Sequence, residues 1–181
     1  MADVKLRLGS TLPAFGPLRA TDGRMLKSAD FAGNKAVVIV FSCNHCPYVQ
    51  AYEERMIEFQ KQYGPKGVRL IAVNANDTVN YPDDSYDHMV RRAGEKKFNF
   101  LYLRDDRQEV AEAFGATHTP QFFLFDADRI LRYSGKLDDN WKEPAAVKER
   151  YLCDAVEAVL AKRPVAVPET MSIGCTIKWK T

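Results

Sequence analysis

The chain has 181 residues, 46% of them hydrophobic and 28% charged, and its 26 basic and 24 acidic side chains give a formal net charge of +2. This length suffices for one well-buried domain and leaves little for a second. The balanced charge gives no electrostatic basis for nucleic acid or a membrane surface as a main partner. No apolar run reaches the roughly 18 residues that a bilayer-spanning helix needs. We therefore expect a single globular domain with neither kind of partner.

Cysteine usage and the N-terminal stretch bear on the cellular compartment. Residues 1–9 alternate charged and apolar side chains and lack the continuous apolar segment of a secretory signal. Four cysteines in a chain of this length are too few for a disulfide-stapled scaffold. We therefore expect a cytosolic protein, in which a paired C-x-x-C is catalytic or metal-binding.

The first half of the chain alternates between extended and helical patterns. An N-terminal hairpin is expected around an Asp22-Gly23 turn. Residues 36–42 are apolar nearly throughout, which predicts a central strand covered on both faces. From Pro47 to Gly64, large apolar and aromatic residues recur every three or four positions, which predicts a helix. A second buried strand is predicted at 68–74.

The second half of the chain continues this alternation and ends in an irregular tail. The predicted elements are, in order, a helix capped by Asp83, Asp84 or Ser85 and ending near Lys96, a strand at 100–103, a helix that follows a capping box of Asp105 and Gln108 and ends at Gly115, a hairpin of strands 121–126 and 130–134, and a helix from Pro144 to about Lys162. Residues 164–181 hold two prolines and show no clear periodicity, so we expect a tail behind a domain at 1–163. These elements predict an α/β fold with a central mixed sheet flanked by helices.

A Cys43-Asn44-His45-Cys46 motif lies where the central strand ends and the next helix begins. A helix N-terminus carries unpaired N–H groups and a partial positive charge, which stabilise a thiolate. The thiolate is the attacking form of cysteine, and a second sulfur one turn away can displace what the first has captured. The motif therefore indicates a thiol–disulfide exchange centre. Cys43 is the expected nucleophile and the more exposed sulfur, and Cys46 is the expected resolving cysteine.

With C-x-x-C at this junction, the chain resembles thioredoxin-fold redoxins, the branch that includes the thiol-specific antioxidant and TlpA/ResA-like families. The resemblance covers roughly residues 9–161. Three features carry it: the opening from Gly9 to Phe15, which looks like the branch's N-terminal β-hairpin, the strand followed by Cys43-Asn44-His45-Cys46-Pro47, and Thr119-Pro120 ahead of Gln121-Phe122-Phe123-Leu124-Phe125. The whole chain also resembles a subfamily with a C-N-H-C motif that is described only as thiol–disulfide oxidoreductases, which supplies no substrate.

The resemblance implies a thioredoxin-like fold in which a cis-proline loop faces the dithiol. Pro120 is the implied cis residue, and the backbone of Thr119 and Pro120 is implied to position the substrate. Two departures from the pattern matter. Thioredoxins have a buried acid six residues before the first cysteine, where this chain has Val37, so the acid is missing or supplied elsewhere. Peroxiredoxins need a threonine three residues before their peroxidatic cysteine, where this chain has Val40, which disfavours peroxide chemistry.

Two further residues have alternative interpretations. A protonated His45 is expected to favour the Cys43 thiolate and to make the disulfide easier to reduce, and the alternative is a solvent-facing bystander. Cys175 lies in the tail, where it is either a third redox thiol or an apolar anchor. Because Ile173, Ile177 and Trp179 are apolar, we expect the tail to dock and Cys175 to stay reduced while Cys43 and Cys46 form the disulfide.

The sequence therefore predicts a thiol–disulfide oxidoreductase that acts on a disulfide-containing protein or a small thiol compound. A partner dithiol protein is the expected electron donor, and neither an organic cofactor nor a metal is expected. One alternative is a thiol peroxidase in which Cys43 becomes a sulfenic acid and Cys46 or Cys175 resolves it. Another is a zinc module built from Cys43, Cys46, Cys175 and a histidine, although one C-x-x-C is only half of the usual ligand set. The sequence leaves open the physiological direction, the partner and the oligomeric state.

Overall fold

The computed structural model of the chain describes residues 5–181. Residues 1–4, which the sequence assigned to the domain at 1–163 and to the stretch without a secretory signal, lie outside the described residues. The boundary between that domain and the tail at 164–181 stays a prediction.

Within the described residues, seven strands form one mixed sheet and two more form a separate short pair. The strands are, in chain order, β1 (Leu18–Ala20), β2 (Met25–Leu26), β3 (Ala36–Phe41), β4 (Val68–Asn74), β5 (Leu101–Arg104), β6 (His118–Thr119), β7 (Gln121–Phe125), β8 (Leu131–Gly135) and β9 (Cys175–Thr176). The large sheet has the order β2-β1-β5-β4-β3-β7-β8, and β6 pairs with β9. Strand β3 runs parallel to β4 and antiparallel to β7, so the predicted mixed sheet is confirmed.

Helices cover both faces of this sheet, as predicted. The α-helices of the described region are α1 (Pro47–Tyr63), α2 (Tyr86–Lys96), α3 (Glu109–Phe114) and α4 (Tyr151–Leu160). Single 3₁₀ turns at Ser28–Phe31, Gly64–Lys66, Pro82–Asp84 and Pro144–Ala146 join some of the elements. None of the helices between residues 5 and 181 combines the length and the apolar character that crossing a membrane requires.

The central strand β3 is buried on both faces, because its residues alternate between two apolar clusters. Ala36, Val38 and Val40 face a cluster that includes apolar residues of α1, α2 and α4. Val37, Ile39 and Phe41 face the cluster that contains α3. A period of two along a strand produces this division, and it explains why the segment is apolar at every position.

Helix α4 begins later than the sequence predicts. Pro144–Ala146 forms a 3₁₀ turn, and the regular helix starts only at Tyr151. The backbone of the intervening segment bonds elsewhere, since the Lys148 N–H donates to the Asp139 carboxylate and the Glu149 carbonyl accepts from the Asp139 N–H. These bonds hold the segment in a loop, so the prediction of a helix from Pro144 is wrong for its first two turns.

The C-terminal tail docks on the domain, as predicted, although not through all of the residues expected to anchor it. Ile177 is buried, whereas Ile173 and Trp179 are 43% and 44% exposed. Polar bonds do much of the anchoring, because the Gln108 side chain binds the backbone of Lys178 and of Lys180. Gln108 was expected to complete a capping box, and its side chain holds the tail instead.

The ring of Phe114 on α3 packs edge-on against Phe41, Phe123 and Phe125 of the sheet. We predict that Phe114→Ala lowers the free energy of unfolding by about 3–5 kcal/mol, because it leaves a cavity in a fully buried cluster. Urea-induced unfolding measures this value. The matched control is Val79→Ala at a side chain that is 84% exposed, which should change stability by less than about 0.5 kcal/mol. Equal effects of the two substitutions would contradict the packing.

Candidate functional site

The topology of the sheet brings three chain segments together where β3 ends. Strand β7 is antiparallel to β3 and begins with Gln121 opposite Phe41, so the residues before β7 lie beside those after β3. Strand β4 is parallel to β3 and pairs Val73 with Phe41, so the residues after β4 lie on the other side. The Cys43–Cys46 loop, the Thr119–Pro120 loop and the segment after β4 therefore meet at one edge.

Both cysteines of the motif are buried at this edge. Cys46 is the N-cap residue of α1 and Pro47 occupies the first helical position, as the sequence predicts. Cys43 is 1% exposed and Cys46 is 0% exposed. The expected difference in exposure is therefore absent, because Cys175 of the tail and Tyr48 of α1 pack against the two sulfurs.

Three sulfur atoms and one threonine form a compact cluster. The Cys43 Sγ lies 3.6 Å from the Thr119 hydroxyl, and the Cys46 Sγ lies 3.3 Å from the Thr119 carbonyl oxygen. The Cys46 Sγ also lies 2.8 Å from the Cys175 Sγ. Thr119 thus contacts both cysteines of the motif, and Cys46 lies in contact with a third thiol.

The peptide bond between Thr119 and Pro120 is cis, as the resemblance implies. Both residues are buried, and Thr119 is the one that contacts the two cysteines of the motif. In this conformation the neighbouring backbone is occupied, because β6 pairs with β9 of the tail. Thr119 lies opposite Cys175 in that pair.

A buried carboxylate, Asp84, holds the motif loop in place. It is 0% exposed. Its Oδ1 accepts from the backbone N–H of Asn44 at 2.7 Å and from the Asn74 amide at 3.2 Å. Its Oδ2 accepts from the Asn76 amide at 3.0 Å and lies 2.8 Å from His45 Nδ1. Four nitrogen atoms therefore surround a group that would be costly to bury alone.

Asn44 connects this carboxylate to the rest of the site. Its side-chain amide donates to the Asp83 carbonyl, and its side-chain oxygen accepts from the Tyr102 hydroxyl at 2.7 Å. The Gln50 amide donates to its backbone carbonyl. Asn44 thus fixes the loop through its side-chain amide, its side-chain oxygen and its backbone carbonyl, in addition to the N–H that binds Asp84.

His45 lies at the border between the site and solvent. Its side chain is 34% exposed, and its Nδ1 forms the ion-pair contact with Asp84. The imidazole stacks on Tyr81 with an interplanar angle of 4°. His45 therefore contacts the buried carboxylate directly, which is a more specific arrangement than the solvent-facing alternative.

The pKa values of the two motif cysteines are shifted in opposite directions. The pKa of Cys43 is raised, first because of its hydrogen bond with Cys46 and then because of burial and the nearby negative charge of Asp84. The pKa of Cys46 is lowered to about 4, first because Cys43 donates to it, with further donation from Cys175 and the Val49 N–H against the opposing effect of burial. These shifts make Cys46 the more acidic member of the pair, whereas the sequence placed the thiolate on Cys43.

The site also brings together a set of possible metal ligands. One ligand atom each from Cys43, His45 and Asp84 lies within 4.8 Å of the others. A structural zinc site takes four ligands, and the expected set was Cys43, Cys46, Cys175 and a histidine. The Asp84 oxygens already accept from asparagine donors, so metal binding at these three residues would compete with the bonds that hold the loop.

Asp84 is the main functional residue that sequence reasoning missed. Its position just before α2 made it an N-cap candidate, but Ser85 is the residue that caps the helix. This chain has Val37 where thioredoxins have a buried acid, and the buried acid that lies near Cys43 is Asp84 from the segment after β4. The absence of the acid from its usual position was the only signal in the sequence that another one exists.

The chain matches known proteins over most of its length. The family model described as Redoxin matches residues 7–149. An uncharacterized conserved protein from Geobacillus kaustophilus has a similar structure, with a TM-score of 0.90 and 40% sequence identity over 96% of this chain and 93% of that one. No curated protein matches the chain.

More distant structures share the fold alone. The crystal structure of a putative thiol:disulfide interchange protein DsbE from Chlorobium tepidum is 21% identical, with a TM-score of 0.70 over 86% of this chain and 99% of that one. Peroxidoxin BcpB from Mycobacterium tuberculosis is 15% identical, with a TM-score of 0.64 over 86% of this chain and 95% of that one. The predicted thioredoxin-like fold is thereby confirmed.

The contact between His45 and Asp84 predicts opposite effects of two substitutions on the pKa of Cys43. His45→Ala should raise it and make the disulfide harder to reduce, because the Asp84 charge is then unopposed. Asp84→Asn should lower it, because the negative charge is removed while one oxygen remains to bind the Asn44 N–H. Ultraviolet thiolate absorbance across pH measures the pKa, in a Cys46→Ser/Cys175→Ser background.

Asp83→Asn is the matched control, because Asp83 is exposed and binds Asn44 only through its backbone carbonyl. It should leave the titration of Cys43 unchanged. If His45→Ala and Asp84→Asn also leave it unchanged, His45 and Asp84 have no part in setting the acidity of the dithiol.

Proposed function

The chain belongs to the Redoxin family, and from this premise we propose that it is a thiol–disulfide oxidoreductase. The observation that carries the proposal is the pair of buried sulfurs of Cys43 and Cys46, both of which contact Thr119 in the cis-proline loop. Its substrates are disulfides of proteins or small molecules. Thiol exchange stores both electrons in sulfur, so the reaction uses no organic cofactor.

The first half of the reaction begins with a proton transfer between the two motif cysteines. The Cys46 thiolate takes the proton from Cys43, and the Cys43 thiolate attacks one sulfur of the substrate disulfide. A Cys43–substrate mixed disulfide forms, the substrate S–S bond breaks, and the other substrate sulfur leaves as a thiolate. That thiolate takes the proton from Cys46, which returns Cys46 to its charged form.

The second half of the reaction releases the substrate. The Cys46 thiolate attacks the Cys43 sulfur, a Cys43–Cys46 disulfide forms, and the second substrate sulfur leaves as a thiolate. The substrate has gained two electrons and the protein has lost two. The low pKa of Cys46 keeps this sulfur in the thiolate form that makes the second attack.

Thr119 and Pro120 position the substrate chain by backbone contact in this proposal. The same backbone pairs with β9 in the docked conformation, so the tail moves aside when a protein substrate binds. A partner dithiol protein supplies the electrons that regenerate the reduced site. A cytosolic location, expected from the sequence, stays a prediction.

Peroxide reduction is the alternative within the same family. It requires a polar group to orient the peroxide, and Val40 occupies the position where peroxiredoxins have threonine. Val40 is fully buried in the apolar core. The rate of oxidation by hydrogen peroxide compared with that by a protein disulfide separates the two activities.

The roles of the two cysteines predict which variant traps a substrate. In a background without Cys175, Cys46→Ser should accumulate a covalent mixed disulfide with a protein disulfide such as insulin, because Cys43 attacks and nothing resolves the product. Cys43→Ser should accumulate none. Both variants should lose turnover, and non-reducing electrophoresis with mass spectrometry detects the trapped species.

Cys153→Ser is the control for this trapping experiment, since Cys153 lies on α4 in contact with Arg150 and outside the cluster of sulfurs. It should turn over substrate as the unmodified protein does. Trapping by Cys43→Ser alone would reverse the roles, and equal trapping by both variants would refute the assignment. Zinc in the purified reduced protein, measured by elemental analysis, would favour the metal-binding alternative.

A further inference from the structure

The tail presents Cys175 to the dithiol through a defined strand register. In the pair of β6 and β9, His118 lies opposite Thr176 and Thr119 lies opposite Cys175. The Ile177 N–H extends the pair by donating to the Thr117 carbonyl at 2.9 Å. The side chain of Cys175 is therefore directed by backbone bonding and not by a chance surface contact.

Gly174 allows the close approach that this register requires. A Cβ built at Gly174 would lie 2.1 Å from the Thr119 carbonyl oxygen and 2.7 Å from the Thr119 carbonyl carbon. Because both atoms belong to the backbone, any side chain at this position forces the tail away from the cis-proline loop. Position 174 therefore requires glycine for steric reasons when the tail is docked.

The three sulfurs differ in their access to solvent. Cys43 and Cys46 are buried, whereas Cys175 is half-buried at the surface of the cluster. The Cys46 Sγ contacts the Cys175 Sγ at 2.8 Å, which is within the distance at which a small shift forms a bond. The tail therefore places the most accessible thiol of the cluster next to the buried resolving cysteine.

We propose that Cys175 is a third redox-active thiol that forms a disulfide with Cys46 and so transfers the oxidised state from the buried dithiol to the tail. The inference rests on the proposed oxidoreductase function. It replaces the expectation from the sequence that Cys175 stays reduced.

The transfer is a disulfide exchange without a net change in electrons. The Cys175 thiolate attacks the Cys46 sulfur of the Cys43–Cys46 disulfide. The Cys46–Cys175 bond forms, the Cys43–Cys46 bond breaks, and Cys43 leaves as a thiolate that takes up the proton lost by Cys175. An external dithiol then attacks the accessible Cys175 sulfur, its second thiol closes the donor disulfide, and Cys46 and Cys175 return to the reduced form.

The negative charge on Cys46 determines when Cys175 can attack the disulfide. In the reduced site the pKa of Cys175 is raised to about 11, first by burial and then by the hydrogen bond and the negative charge of Cys46, while Lys178 opposes the rise. Formation of the Cys43–Cys46 disulfide removes the charge of Cys46, so the pKa of Cys175 falls. Cys175 thus becomes a better nucleophile only after the dithiol has been oxidised.

Peptide mapping of the mildly oxidised full-length protein tests the inference. Trypsin leaves Cys43 and Cys46 together in peptide 36–55 and places Cys175 in peptide 163–178. A Cys43–Cys46 bond therefore lies within one peptide, whereas a Cys46–Cys175 bond links two. Cys43→Ser should give the linked pair of peptides as its main product, and the unmodified protein should give both products.

Two matched pairs of variants test the role of the tail in this cross-link. Cys46→Ser should abolish it and Cys153→Ser should leave it unchanged. Gly174→Ala should reduce it severalfold while the Cys43–Cys46 bond still forms. Gly33→Ala should have no effect, because Gly33 has open space around its Cβ position.

A kinetic measurement distinguishes this inference from the proposed function. Cys175→Ser should keep the first turnover with a protein disulfide but should be reduced severalfold more slowly by dithiothreitol. A normal first turnover without any cross-link in Cys43→Ser would overturn the inference and leave the proposed function intact. A cross-link without any first turnover in the unmodified protein would overturn the proposed function instead.

Discussion

The buried carboxylate of Asp84 is the group on which the geometry of the dithiol loop depends. It ties the loop after β3 to the segment after β4, because Asn44 donates from one and Asn76 from the other. A buried negative charge also acts on the nearest sulfur and disfavours a second negative charge there. One side chain therefore anchors the loop and contributes, after the hydrogen bond with Cys46 and burial, to the raised pKa of Cys43.

The same network extends to the tail. Asn76, which donates to Asp84, also accepts from the Lys178 N–H at 2.9 Å through its side-chain oxygen. Lys178 also lies over the ring of Tyr81, on which His45 stacks. Tail docking and the position of the motif loop thus share partners, so a change in the docked tail reaches the groups that surround Cys43.

The parts of this arrangement that depend on local patterns were predictable from the sequence. The apolar run of β3, the helical spacing of α1 and the Cys43–Cys46 spacing between them are all short-range signals, and the structure has these elements within one or two residues of the predicted bounds. The cis bond before Pro120 was available only from the resemblance, since local chemistry does not decide it. The contacts of Asp84, Gln108 and Cys175 join segments 33 to 129 residues apart, and no periodicity in a sequence encodes such pairs.

The backbone at Thr119 connects the two proposals, because an edge of backbone pairs with one strand at a time. When β9 pairs there, Cys175 contacts Cys46 and the edge is closed to a substrate chain. When a substrate chain pairs there, Cys175 is displaced from Cys46 and the mixed disulfide on Cys43 can form. In the two proposals, sterics therefore separate the exchanges in time, because the substrate would be reduced with the tail away and the disulfide would move to Cys175 with the tail docked. Gly174 permits the docked state, because no larger residue fits against the Thr119 backbone.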